Sequence, residues 1–172
     1  MKEQRASDKW SVSYLDFLDE VCGNFKIPDK VLIQDITLRD GEQQAGLVFN
    51  KKDKIKIARL LDEVGVDRIE AGMPAVSNQD KEAVKTIAHL GLHAKIFAFA
   101  RCMKRDVDNA LECGVDGVAM EIPSSEQIIK YAYAWPLEKA IDLSIEATSY
   151  AAAHGLHVAF FTIDSTRASL NW

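Results

Sequence analysis

The chain has 172 residues, 48% of them hydrophobic, which is enough for one sizeable core, and its formal net charge is −5. That charge argues against the basic face a nucleic-acid binder needs, and no apolar stretch approaches the ~20 residues that span a bilayer. The opening Met1-Lys2-Glu3-Gln4-Arg5 lacks the apolar core of a secretory signal. The three cysteines, Cys22, Cys102 and Cys113, have no metal-like spacing, so a cytoplasmic protein with reduced thiols is expected.

In chain order, residues 1–30 read as an N-terminal extension. Tyr14, Leu15, Leu18, Val21 and Cys22 form an amphipathic stripe on a short helix, followed by a Pro28-Asp29 connector. Residues 31–172 read as one domain of alternating strands and helices. Near-continuous apolar runs at 31–38, 68–73, 94–100, 117–122 and 157–163 suit strands covered on both faces. Between them, 51–64 has apolar residues at Ile55, Ala58, Leu61 and Val64, with Asn50 as its cap and Gly65 as its stop. Helices are also expected at 80–90, 105–113 and 137–153, the last between Pro136 and Gly155.

Short connections between such units imply right-handed crossovers and a parallel sheet. Val64-Gly65-Val66-Asp67, Leu90-Gly91-Leu92-His93 and Cys113-Gly114-Val115-Asp116 are nearly the same helix-to-strand joint. That recurrence fits a repeating barrel, and it fits a flavodoxin-like sheet as well. A full (β/α)8 TIM barrel needs eight strands and about 250 residues. This chain therefore reads as a barrel truncated to about five βα units, with first and fifth strands exposed as apolar edges, and self-association is expected.

In a parallel barrel the chemistry sits at the C-terminal strand ends. The first run breaks into Arg39-Asp40-Gly41-Glu42-Gln43, delivering a cation and a carboxylate to that end. Such a pair suits a divalent-cation ligand beside an oxyanion stabiliser, and it also suits a solvated surface ion pair. Arg101, Glu121, Ser124, Ser125, Asp164 and Arg167 fall at later strand ends. Asp35, Glu70 and Glu121 are acids within apolar strands, so each needs a buried partner or a site to face. Cys102 reads as a buried thiol. His154 and His157 lie at the N-terminal strand face, which carries stability and not chemistry.

Thr37-Leu38-Arg39-Asp40-Gly41-Glu42-Gln43 resembles the signature of the isopropylmalate synthase, homocitrate synthase and hydroxymethylglutaryl-CoA lyase family. Ile69-Glu70-Ala71-Gly72-Met73-Pro74 looks like that family's second strand, Arg101-Cys102-Met103 is similar to its homocitrate synthase branch, and Ser124-Ser125 falls where Thr-Ser is common. The resemblance implies a metal-dependent acyltransferase that condenses acetyl-CoA with a 2-oxo acid. It implies Asp40 as a ligand to a divalent metal ion (Mg, Mn or Zn) and Arg39 as stabiliser of the developing oxygen charge. Gln43 and Ser124 would orient substrate or metal-bound water, and Arg101 and Asp164 would border the substrate pocket. A homo-oligomer is expected. Where the family commonly has Glu-Asp after the fifth strand, this chain has Ile163-Asp164, and Met103 stands where His is usual. None of His89, His93, His154 and His157 forms the family's His-x-His pair. An acyl-CoA lyase or pyruvate aldolase on the same barrel is the enzyme alternative, and a non-catalytic, self-associating fragment is the alternative of another class.

Overall fold

The computed structural model describes residues 28–169, with Leu18, Glu20 and Gly23 besides. The chain divides into two units, Met1–Val31 and Leu32–Trp172. Of the expected N-terminal stripe, Tyr14, Leu15, Val21 and Cys22 lie outside the described residues, and Leu18 is exposed.

The second unit is a sheet of five parallel strands in sequential order. These are β1 (Gln34–Asp35), β2 (Arg68–Glu70), β3 (Lys95–Arg101), β4 (Gly117–Pro123) and β5 (His157–Ile163). Helices α1 (Lys51–Val64), α2 (Asn78–Ala88), α3 (Lys104–Cys113) and α4 (Leu137–Ala153) connect them. Sequential order with a helix in every crossover is the arrangement of a half-barrel, five consecutive units of the (β/α)8 plan. No helix among the described residues is long and apolar enough to cross a membrane.

Two strands are shorter than the apolar runs suggest. The first stops at Asp35, not at 38, because the Asp35 carboxylate takes Thr37 N at 2.9 Å and Thr37 Oγ1 at 3.1 Å. The chain then turns on Ile36, whose carbonyl accepts from Arg39, Asp40 and Gly41 at 3.1, 2.9 and 3.2 Å. Leu38 is fully buried, so its apolar character reflects the core and not a strand. β2 ends regular pairing at Glu70, although Ala71 N still donates to Phe97 O at 2.8 Å.

The helices follow their local signals. Asn50 caps α1 by accepting from Lys52 N and Asp53 N at 2.9 and 3.1 Å, and Asp53 returns the bond to Asn50 N. α2 begins two residues earlier than expected because Ser77 caps it, its hydroxyl accepting from Asp80 N at 3.0 Å. A π-helical turn, Ile128–Ala132, precedes α4 and has no counterpart in the sequence reading.

The sheet has two distinct faces, as the two-residue period of a strand requires. Ile96, Ala98 and Ala100 of β3 and Val118, Met120 and Ile122 of β4 join the helix-side core. The alternate residues, Phe97, Phe99 and Glu121, occupy the concave face with Glu70 and Phe161. Gly117 is required there: a Cβ on it would meet His157 O and Phe97 Cε1, both at 2.5 Å.

Candidate active site

The turn after β1 carries Arg39 and Asp40 over the C-terminal end of the concave face. Arg39 Nε donates to Glu70 Oε1, and Nη1 donates to Asp40 Oδ1 at 2.8 Å. The guanidinium also lies over the Phe99 ring, 4.6 Å from its centroid. Glu70 is buried, and its second oxygen accepts from Gln34 Nε2 at 3.1 Å. Of the two readings of Glu70, the buried partner of an arginine is the one seen, and that arginine is Arg39 of the candidate site. Of the five guanidinium donors, described residues occupy Nε and one position on Nη1. The remaining N–H groups are available to an oxygen arriving from the concave side.

Glu121 sits half-buried on the same face, and its carboxyl makes no hydrogen bond among the described residues. Burial pushes that carboxyl above its ordinary value; Arg39 pulls against the rise, while Glu70 and Asp40 add to it. Asp35, the third acid singled out, is spent on the turn and does not join the site.

Asp40 is the more open carboxylate, with its side chain 55% exposed. One oxygen serves Arg39, so the other fits a single cation ligand. Among the described residues, no three His, Cys, Asp or Glu side chains converge on a metal position. His157 opens β5 and His154 closes α4, both at the N-terminal end of the strands. The described residues thus do not make a three-ligand set around Asp40.

Gln43 lies in a 3₁₀ turn, Gly41–Gln43, and lines a cavity of about 290 Å³ with Arg39, Phe49, Lys54, Met73 and Asp80. Lys54 was not singled out by the sequence. It is 3% exposed, forms ion pairs with Glu42 at 2.6 Å and with Asp80, and donates to Leu38 O at 3.4 Å. Asp80 in turn accepts from Met73 N at 2.6 Å, while Glu42 accepts from Phe49 N at 2.9 Å. This lysine therefore ties the turn that bears Arg39 and Asp40 to the loop after β2. Its signal was present: Lys54, Ala58 and Leu61 share the inward stripe of α1, and a cation in that row demands buried anions.

The other expected substrate contacts are placed differently from one another. Ser124 is beside the end of β5, its N and Oγ both donating to Ile163 O, at 3.0 and 2.9 Å. Asp164 adopts a left-handed backbone (φ 61°) and accepts from Arg167 Nε at 2.7 Å. Arg167, with Ser125 beside it, holds the Asp164 carboxyl below its usual value. Its Oδ2 is buried without a hydrogen bond of ordinary geometry among the described residues. Arg101 is not brought to the cluster: Nε and Nη2 grip buried Asp106 at 2.7 and 3.0 Å. Cys102 is buried, and burial pushes its thiol up to about 11, the state of a structural cysteine.

Five consecutive βα units with an arginine–carboxylate cluster at the C-terminal strand ends define part of a (β/α)8 barrel, the end at which such barrels carry their sites. Residues 30–172 match the HMGL-like family, and the chain belongs to that family. It is 45% identical over 167 residues to homocitrate synthase AksA of Methanocaldococcus jannaschii, covering 92% of this chain and 41% of that protein. It is 41% identical over 157 residues to 2-isopropylmalate synthase of the same organism, covering 91% and 30%. The chain thus spans about two-fifths or less of the length of these relatives. The HMG-CoA lyase structure from Bacillus subtilis superposes with a TM-score of 0.65 at 20% identity, over 78% of this chain and 47% of that one, which shows the shared fold.

Proposed function

We propose that this segment forms the first half of the active site of an acyltransferase that condenses acetyl-CoA with a 2-oxo acid. The observation that carries the reading is the Arg39 guanidinium, held by Glu70 and Asp40 with donors to spare at the strand ends. Support comes also from relatives named for homocitrate and 2-isopropylmalate synthesis.

In this reaction the acetyl methyl group loses a proton and its carbon bonds to C2 of the 2-oxo acid. The carbonyl oxygen becomes an alkoxide and takes a proton, and water then cleaves the thioester to release a carboxylate and CoA thiol. Negative charge builds on oxygen in the bond-forming step. A fixed guanidinium, desolvated against Phe99, stabilises that charge without reorganising. Glu70 acts as a positioning residue, since its buried carboxylate sets the direction of Arg39. Gln43 orients bound substrate from the cavity edge, and Ser124 and Asp164 border the pocket at β4 and β5. A divalent ion, when bound, would supply Lewis acidity at the 2-oxo acid. Asp40 is the residue that would hold it, with one carboxylate oxygen outside its bond to Arg39.

The products named by the relatives differ in one respect. Homocitrate carries three carboxyls and isopropylmalate two, and the acetyl unit contributes one to each. The acceptors are therefore a dicarboxylic and a monocarboxylic 2-oxo acid.

The test is thiol release from acetyl-CoA by the full-length protein with a panel of 2-oxo acids, with product mass measured alongside. CoA release that needs both substrates and disappears in Arg39→Ala is expected. Cleavage of a 3-hydroxyacyl-CoA without condensation would replace this reading with the lyase one.

A further inference from the structure

We infer that the chain selects a 2-oxo acid with an apolar side chain and no second carboxylate, and that Glu121 enforces this choice. The inference rests on the condensation reading above and extends it to the substrate class.

The key observation is a pairing that the register offers and the structure declines. Arg101 of β3 lies directly opposite Glu121 of β4, so an ion pair across the two strands is the simple expectation. Instead Asp106, which is buried, takes Arg101 through Nε, Nη2 and the backbone N. Glu121 is left on the concave face with a carboxyl that no described residue hydrogen-bonds.

An acceptor whose carbonyl oxygen meets Arg39 must lay its side chain along the neighbouring concave surface. That surface is Phe99, buried beneath Arg39, and Phe161, whose ring lies 6.5 Å from Phe99. Glu121 is opposite Phe161 in the register of β4 and β5. Two aromatic rings favour a branched or linear hydrocarbon. A distal carboxylate would need a cation of its own, because the spare Arg39 donors meet the carbonyl oxygen and the other nearby guanidinium groups already hold a carboxylate. Arg39 serves Glu70 and Asp40, Arg101 serves Asp106, and Arg167 serves Asp164. Arg68 lies at the opposite end of the strands, over Phe97. Among the described residues, the second carboxylate would meet the charge of Glu121 in a partly desolvated site, where like charges repel more strongly than in water.

The experiment uses the full-length protein with acetyl-CoA and either 2-oxoisovalerate or 2-oxoglutarate, comparing wild type with Glu121→Gln. The wild type is expected to prefer 2-oxoisovalerate. In Glu121→Gln the ratio of kcat/KM for the two acids should move toward 2-oxoglutarate by about tenfold or more, chiefly through KM, the scale of one like-charge contact removed. A cooperative melt of the variant checks that it folds, and the wild-type preference decides the first arm without it. A wild type that prefers 2-oxoglutarate, or a ratio that the substitution leaves in place, overturns the inference while the condensation reading stands. Absence of CoA release with either acid, and with the wider panel, removes that reading and this inference with it.

Discussion

Arg39 is the residue on which the proposed chemistry turns, and its surroundings make a sharp prediction. Lysine keeps the charge but loses the planar fork that reaches Glu70 and Asp40 together. Arg39→Lys and Arg39→Ala are both expected to lower kcat by about 10²–10³ or more, the range for removing a fixed oxyanion donor. Steady-state kinetics on the full-length protein check this, and a loss confined to KM would count against the assignment. Glu121 gives a second prediction, of stability. Its folded pKa is raised, so ionising it works against the fold as pH climbs above its ordinary value. Glu121→Gln should therefore raise the melting temperature near neutral pH, and the gain should vanish below about pH 4, where both states hold the proton. The turn that carries Arg39, Asp40 and Gln43 was legible in the sequence because charged residues interrupt an apolar run. The Asp106 hold on Arg101 was not legible, since either Asp106 or Glu121 could have claimed that guanidinium.

Among the elements, α1 and the loop after β2 are coupled through Lys54. Gly72 is part of that coupling: at φ +149° it leaves room for Asp80, whose two carboxylate oxygens lie 2.9 Å from where a Cβ would stand. Lys54→Met removes the cation and leaves Glu42 and Asp80 facing one another, so destabilisation of about 3–5 kcal/mol is expected from urea unfolding. Asp62 and Asp116 couple other elements. Asp62 accepts from Ala94 N at 2.7 Å, and this bond holds its carboxyl low, with His93 contributing. Burial tends to raise Asp116, but Lys95 and the Ile96 N–H outweigh it and hold it low. Both folded values lie below the unfolded ones. The stability they contribute is therefore present above about pH 4 and lost as pH falls through the folded values. A urea midpoint that falls between pH 5 and 3, and falls less in Asp116→Asn, is the expected pattern. The helix spans 51–64 and 137–153 and strand 157–163 are those read from the sequence, because caps and periodicity are local. The first strand was misjudged because Leu38 is apolar for the core's sake while Asp35 had already turned the chain.

For the molecule as a whole, the exposed surface carries the expectation of self-association. At one edge of the sheet Ile33 and Ile36 are 59% and 40% exposed, and at the other Phe160 and Phe161 are 41% and 40% exposed. Unpaired strands with apolar side chains favour edge-to-edge contact. Light scattering on the isolated 172-residue chain is expected to show concentration-dependent oligomers, and a monomer across the accessible concentration range would refute it.

By itself the sequence determined the βα alternation, the charged turn that ends the first apolar run and the HMGL-like signature, because these depend on local periodicity, capping and a contiguous motif. The tertiary structure decided which charges share partners. Arg39 meets Glu70, Lys54 meets Glu42 and Asp80, and Arg101 meets Asp106, leaving Glu121 unclaimed. Burial and register choose these partners, whether five residues apart, as Arg101 and Asp106, or 31, as Arg39 and Glu70, and no one-dimensional pattern ranks one carboxylate over another for the same cation.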